Sequence, residues 1–219
     1  MTIILVFGTS TTYGAWDSEG GWVQRLRKYL DNKQLEGKEH PTDPYYVIYN
    51  LGVSGDTSKD IIERLEFETK QRLKLKDEGE EIIILISVGV NDAIYYNKTK
   101  KNQVILDKFS SNVQKMINIS KKYATNIVFV GNKPIDESKV DPIPWRMECS
   151  YKEIFVEKYD LKAAEICKKN DIPFIDVYHI FKRQDNYKKL LSDGVHPNNE
   201  GHKRIFEIVK KDLEKLEII

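Results

Sequence analysis

Ser10 stands in "GTSTTYG", directly after the apolar run "IILVF", where a phosphate loop, an inert turn or a nucleophile are all conceivable. A Walker loop needs a lysine and a hydroxyl residue straight after its second glycine. Here Gly14 is followed by Ala15 and Trp16, and the three spaced glycines of a dinucleotide loop are missing. A nucleophilic serine needs a base within hydrogen-bond reach and a third group that fixes the tautomer of that base. Four histidines compete for the base: His40, His179, His196 and His202. His40 precedes the second apolar run, which sends it to the far edge of a sheet. His202 falls in the last helical segment, where packing or capping is the expected role. His179 follows Asp176 by three residues in "DVYH", and His196 follows Asp193 by three in "DGVHPNNEGH". Pro197 biases His196 toward an extended backbone, and Asn198 or Asn199 can cap the next helix, fixing the loop that presents the imidazole. The residues alone therefore favour His196 and leave His179 as its rival.

Five β-branched runs must position these groups: Ile3–Phe7, Tyr46–Leu51, Ile82–Ser87, Ile127–Gly131 and Pro173–Val177. Each is nearly continuous rather than alternating, the pattern of a parallel strand covered on both faces. Helix-period segments separate them, the second-strand helix taking Thr57 or Ser58 as N-cap and a final helix closing the chain. The expected fold is a doubly wound α/β domain over residues 1–219, a five-stranded parallel sheet with helices on both faces in a flavodoxin-like α/β/α arrangement. In such sheets ligands bind outside the carboxyl ends of the strands. "GTSTTYG", "GVSGDTS", "GVND" and "GNKPIDES" all fall there.

Composition narrows the partners. Lys and Arg total 35 against 34 Asp and Glu, a net charge of +1 that gives no electrostatic reason to expect nucleic acid or an anionic membrane. No run approaches the roughly 20 apolar residues of a spanning helix, and the N-terminus reads as a strand rather than a signal peptide. Cys149 and Cys167 lack metal-ligand spacing and read as buried or idle thiols. A cytoplasmic protein is the expectation, and the serine chemistry weighed above requires no metal or organic cofactor.

With these motifs assembled, the chain resembles the SGNH hydrolases, also called the GDSL esterase/lipase family, whose four blocks occur here in order. "GTSTTYG" resembles the serine block and implies Ser10 as nucleophile. "NLGVSGDTS" resembles the glycine block and implies Gly55 as an oxyanion-hole donor. "GVND" implies the Asn91 amide as another, beside the backbone N–H of Ser10. "DGVHPNNEGH" implies His196 as base and Asp193 as its orienting group. One position departs from the family: Thr9 stands where an aspartate usually precedes the serine. Taken alone, Gly52 and Gly55 read as turn glycines, Asn91-Asp92 as a cap and Asp56 as a loop organiser.

The resemblance implies a serine esterase or acylhydrolase that cleaves a small carboxylic ester, short-chain acyl or acetyl, through an acyl-serine intermediate. Lysophospholipase and thioesterase are variants within that class. The alternative is a ligand-binding protein of the same fold that has lost turnover, Thr9 being its only hint. Tyr13, Trp16, Tyr95, Tyr96, Pro144, Trp145 and Arg146 are candidates to line the pocket, although half-buried packing suits the aromatics and a surface salt bridge suits Arg146.

Overall fold

The apolar runs do assemble into one parallel sheet. The computed structural model describes residues 1–37, 45–74 and 79–219, so the His40 reading lies outside the described residues. The chain opens with β1 (Thr2–Gly8), the single turn α1 (Ser10–Tyr13), α2 (Gly21–Gly37), β2 (Tyr46–Gly52), α3 (Ser58–Arg72) and β3 (Glu81–Ile86). Two short strands follow, β4 (Tyr95–Tyr96) and β5 (Lys101–Asn102), then α4 (Leu106–Ser120), β6 (Asn126–Val130) and α5 (Glu137–Val140). The last part contains β7 (Cys149–Ser150), α6 (Glu153–Lys169), β8 (Phe174–Ile175), α7 (Val177–Lys182) and α8 (Asn199–Lys215).

The main sheet has the order β2-β1-β3-β6-β8, and every pair in it is parallel. Strand order reverses beside β1, so the crevice above its carboxyl end is the natural ligand site of this topology. Alternation along the central strands fills two cores. Ile3, Leu5, Phe7, Ile82, Ile84 and Ile86 face α3, α4 and α6. Ile4, Val6, Ile83 and Leu85 face α2 and α8, whose Trp22, Leu26, Ile205 and Val209 cover them. Central strands buried on both sides explain the unbroken apolar runs.

Two strands depart from the expected pattern. β2 is an edge strand with β1 as its single neighbour, and its Tyr49 and Asn50 are exposed rather than covered. β8 has two residues instead of five, because the Asp176 side chain already accepts the His179 N–H and starts α7. A separate antiparallel sheet, β5-β4-β7, was not expected.

Candidate active site

Ser10 begins α1 at the carboxyl end of β1 and is buried. A residue at the start of a helical turn has no intrahelical acceptor for its N–H. The turn packs tightly on β2: a side chain at Gly52 would meet the Tyr13 nitrogen at 2.2 Å, so glycine is required there for close approach.

His196 reaches Ser10 from the opposite end of the sequence. Its Nε2 lies 2.9 Å from Ser10 Oγ, and its Nδ1 lies 2.6 Å from Asp193 Oδ2. With Nδ1 donating to the carboxylate, Nε2 is the acceptor for the serine hydroxyl. The loop is braced by a bridge between Leu191 and Pro197 and by Ser192 donating to the His196 carbonyl at 2.8 Å. Asn198 caps α8 by accepting the Gly201 N–H at 3.0 Å.

Asp193 collects four donors. Oδ1 accepts the backbone N–H groups of Val195 and His196, and Oδ2 accepts His196 Nδ1 and the indole N–H of Trp16 at 3.1 Å. Burial pushes this carboxyl upward, but the side-chain and backbone hydrogen bonds from His196 and Val195 outweigh it and hold Asp193 well below the usual carboxylate range. The group is therefore a fixed anion under the imidazole.

The structure separates the rival histidine from this cluster. His179 Nδ1 is 2.9 Å from Asp176 Oδ1, with Glu157 on its other side, and the pair sits on α7. His202 is buried and its Nε2 pairs with the Ala15 carbonyl at 3.0 Å.

The other motif residues lie in the loops after β2 and β3. Gly55 has φ +89°, and a side chain there would meet nothing within 4 Å. Conformation, not crowding, calls for glycine at this position. Asn91 is buried and fixed at both ends of its amide: Nδ2 donates to the Asp56 carbonyl at 2.8 Å, and Oδ1 accepts from Tyr151 at 3.1 Å. One amide hydrogen remains for another acceptor. Asp56 pairs with Arg64 at 2.8 Å, and Arg64 also donates to the Gly8 carbonyl, which ties this loop to the end of β1. Thr9 is buried and makes no side-chain cap of α1.

The expected pocket residues divide into two groups. Tyr13 and Trp16 are about 60% exposed, at 61% and 64%, and line an open groove with Gly14, Ala15 and Ser18. Tyr95, Tyr96 and Arg146 belong instead to the small sheet and its flank. Tyr95 stacks on Phe155 at 5.0 Å, while Arg146 pairs with Glu148, donates to Tyr96 and Gln103 and lies over the Tyr96 ring. Arg146 is thus committed to protein partners, and Trp145 beside it is exposed. Sequence reasoning named Trp16 only as a pocket aromatic and missed its bond to Asp193, which depends on a left-handed backbone at φ 65° that no motif signals. It also missed Tyr151 as the partner of Asn91.

Among the described residues no helix is long and apolar enough to cross a membrane, and no group of three or more His, Cys, Asp or Glu could hold a metal ion. Cys149 and Cys167 are buried free thiols.

A parallel α/β/α sheet with a serine, histidine and aspartate in hydrogen-bond contact above the end of β1 defines the class of fold. Residues 6–204 match the profile of the GDSL-like Lipase/Acylhydrolase family, and the chain belongs to that family. It is 25% identical over 151 residues to an isoamyl acetate-hydrolyzing esterase of Saccharomyces cerevisiae, a match covering 64% of this chain and 60% of the yeast protein. The match to an isoamyl acetate-hydrolyzing esterase 1 homolog of Rattus norvegicus, 22% identical, covers 93% of this chain and 78% of that one. In fold, the chain is similar to a lipase/acylhydrolase from Enterococcus faecalis, with TM-score 0.71, 21% identity and coverage of 98% and 96% of the two chains. An acetyl xylan esterase variant from Geobacillus stearothermophilus gives TM-score 0.69 at 20% identity, covering 97% of this chain and 94% of the other.

Proposed function

We propose that this protein is a serine esterase that hydrolyses a small carboxylic ester, short-chain acyl or acetyl, through an acyl-serine intermediate. The observation that carries the reading is the unbroken relay from Ser10 Oγ to His196 Nε2 at 2.9 Å and from His196 Nδ1 to Asp193 at 2.6 Å. Ser10 attacks the ester carbonyl as His196 takes its proton, and the anionic Asp193 stabilises the resulting imidazolium. The carbonyl oxygen becomes negative and is met by the N–H groups of Ser10 and Gly55 and by the free amide hydrogen of Asn91. Donors fixed in advance are worth about 3–4 kcal/mol each at such a centre. His196 then returns its proton to the departing alcohol, and water repeats the attack with His196 again as base.

The acetyl preference is supported by the names of two relatives, one hydrolysing isoamyl acetate and the other acetylated xylan. Their alcohols differ widely, which leaves the acyl group as the shared element. The groove between Tyr13 and Trp16 is open, as suits a soluble ester.

The test is turnover of p-nitrophenyl esters from acetate to laurate by the purified protein and by Ser10→Ala. We expect acetate or butyrate to be the best substrate and the variant to lose at least about 10⁴-fold in kcat. Activity retained in Ser10→Ala, or absent from the parent at every chain length, would overturn the reading.

A further inference from the structure

Residues 14–20, the strap between α1 and α2, are pinned on both sides of Trp16. The Ala15 carbonyl is held by His202 of α8 at 3.0 Å. The buried Asp17 carboxylate accepts the Gly21 N–H at 3.0 Å and Arg25 at 3.2 Å, and Ser18 Oγ accepts from Asn199 at 2.9 Å. Between these anchors Trp16 adopts φ 65°, a left-handed backbone that bulky residues avoid. Its ring is 64% exposed, so burial of apolar surface does not account for the strained placement. Disfavoured conformations of this kind persist where the surroundings impose them, and they cluster at working sites.

The exposed ring is aimed at the relay. Its Nε1 donates to Asp193 Oδ2 at 3.1 Å, the oxygen that also receives His196 Nδ1, and its edge meets the imidazole at 78° with centroids 6.2 Å apart. We infer that Trp16 is a positioning residue, its indole N–H and ring edge fixing the Asp193 carboxylate and the His196 imidazole in the orientation that Ser10 requires. The inference rests on the serine esterase reading and extends it to a residue outside the four family motifs' chemical roles.

The Val195 and His196 N–H groups hold Oδ1, but the terminal torsion of an aspartate is broad, so Oδ2 with the imidazole as its one donor is the end that can still shift. A second donor, fixed by the strap, removes that freedom. The indole also draws charge from Oδ2. Without it the carboxylate would stabilise the imidazolium more strongly, and protonated histidine cannot act as base. Loss of the N–H therefore moves the acid limb of kcat/KM to higher pH. Lys133, in the loop after β6, and Tyr151, before α6, are ionisable groups that feel the Asp193 charge, and Trp16→Phe alters neither side chain.

Trp16→Phe keeps an aromatic edge beside the imidazole and removes the donor. Two readouts are compared with the parent: p-nitrophenyl acetate turnover across pH, and the rate at which a fluorophosphonate labels Ser10, with the adduct located by mass spectrometry. We expect labelling and kcat both to fall roughly five- to twenty-fold, KM to stay within about two-fold, the acid limb to move up, and the melting temperature not to fall. Parental labelling and turnover in Trp16→Phe would overturn the inference. So would a loss confined to KM with the acid limb unmoved, which would make Trp16 a wall of the substrate groove. A parent not labelled at Ser10 removes the esterase reading and this inference together, whereas a labelled parent with an unaffected variant removes this inference alone.

Discussion

Asn91 shows how a single side chain is committed before any substrate arrives. Its carbonyl is taken by Tyr151 and one amide hydrogen by Asp56, so rotation that would turn the second hydrogen away breaks two hydrogen bonds. That pre-orientation is what makes a donor effective toward developing charge. If Asn91 is the oxyanion donor proposed above, its bond forms chiefly in the transition state, and Asn91→Ala is expected to lower kcat on p-nitrophenyl acetate by about 10²–10³ with KM changed little. A rise in KM with kcat intact would instead make Asn91 a ground-state binding residue. His179 offers the complementary comparison. Its Asp176 partner copies the three-residue spacing of Asp193 and His196, but the pair is spent on starting α7. His179→Ala should leave turnover within about two-fold of the parent, and His196→Ala should abolish it; the reverse result would reassign the base.

At the scale of elements, the loop carrying Asn91 is anchored through its neighbour. Buried Asp92 accepts the N–H of Ser58 at 3.0 Å and its hydroxyl at 2.5 Å, and Asn112 of α4 donates to that same hydroxyl at 2.8 Å. One carboxylate thus joins the loop after β3 to the start of α3 and, through Ser58, to α4. Asp92→Ala leaves buried donors on Ser58 without an acceptor, which costs about 1–3 kcal/mol. We expect that loss in denaturant unfolding, with a fall in kcat as the Asn91 loop loosens; unchanged stability would show that the network contributes nothing. What the sequence could reveal at this scale follows from burial. β1, β3 and β6 were legible because both faces are covered, which demands unbroken apolar runs. The end of β8 was not, because the transition to α7 turns on one aspartate choosing a cap over a strand. The β5-β4-β7 sheet was invisible because two-residue strands carry no periodicity. The motif residues were legible as residue types in order, while the partners that orient them, Trp16 and Tyr151, come from loops whose approach depends on tertiary packing.

Considered whole, the molecule buries ionisable groups around the carboxyl edge of its sheet, and their linkage to folding can be read against pH. Lys133 is buried in the loop after β6, and burial pulls its ammonium down from 10.5 to about 8 despite the opposing pull of Asp193 and Glu153. Between those values the unfolded chain holds more protons than the folded one, so this lysine makes stability rise with pH there. Below about 8 both states are protonated and the full penalty, about 3 kcal/mol, is present. The parent's own alkaline profile does not isolate this effect. Burial raises the thiols of Cys149 and Cys167, so the folded state keeps those protons longer and stability falls as pH climbs through the ordinary thiol range. On the acid side, burial raises Asp92 to about 6 and Asp160 to about 7, which makes stability fall as pH rises toward those values. Buried His202, pulled down by desolvation, acts in the opposite sense. The difference between Lys133→Met and the parent cancels all these shared contributions except those coupled to the lysine itself. Measured by urea unfolding, the stability of Lys133→Met relative to the parent should decrease by about 2 kcal/mol between pH 7.5 and 9.5, as the parent escapes its penalty and the variant has none to lose. A difference that stays flat across that interval would mean that the ammonium is fully compensated by Asp193 and Glu153 in the folded state, so that Lys133 stays charged throughout it.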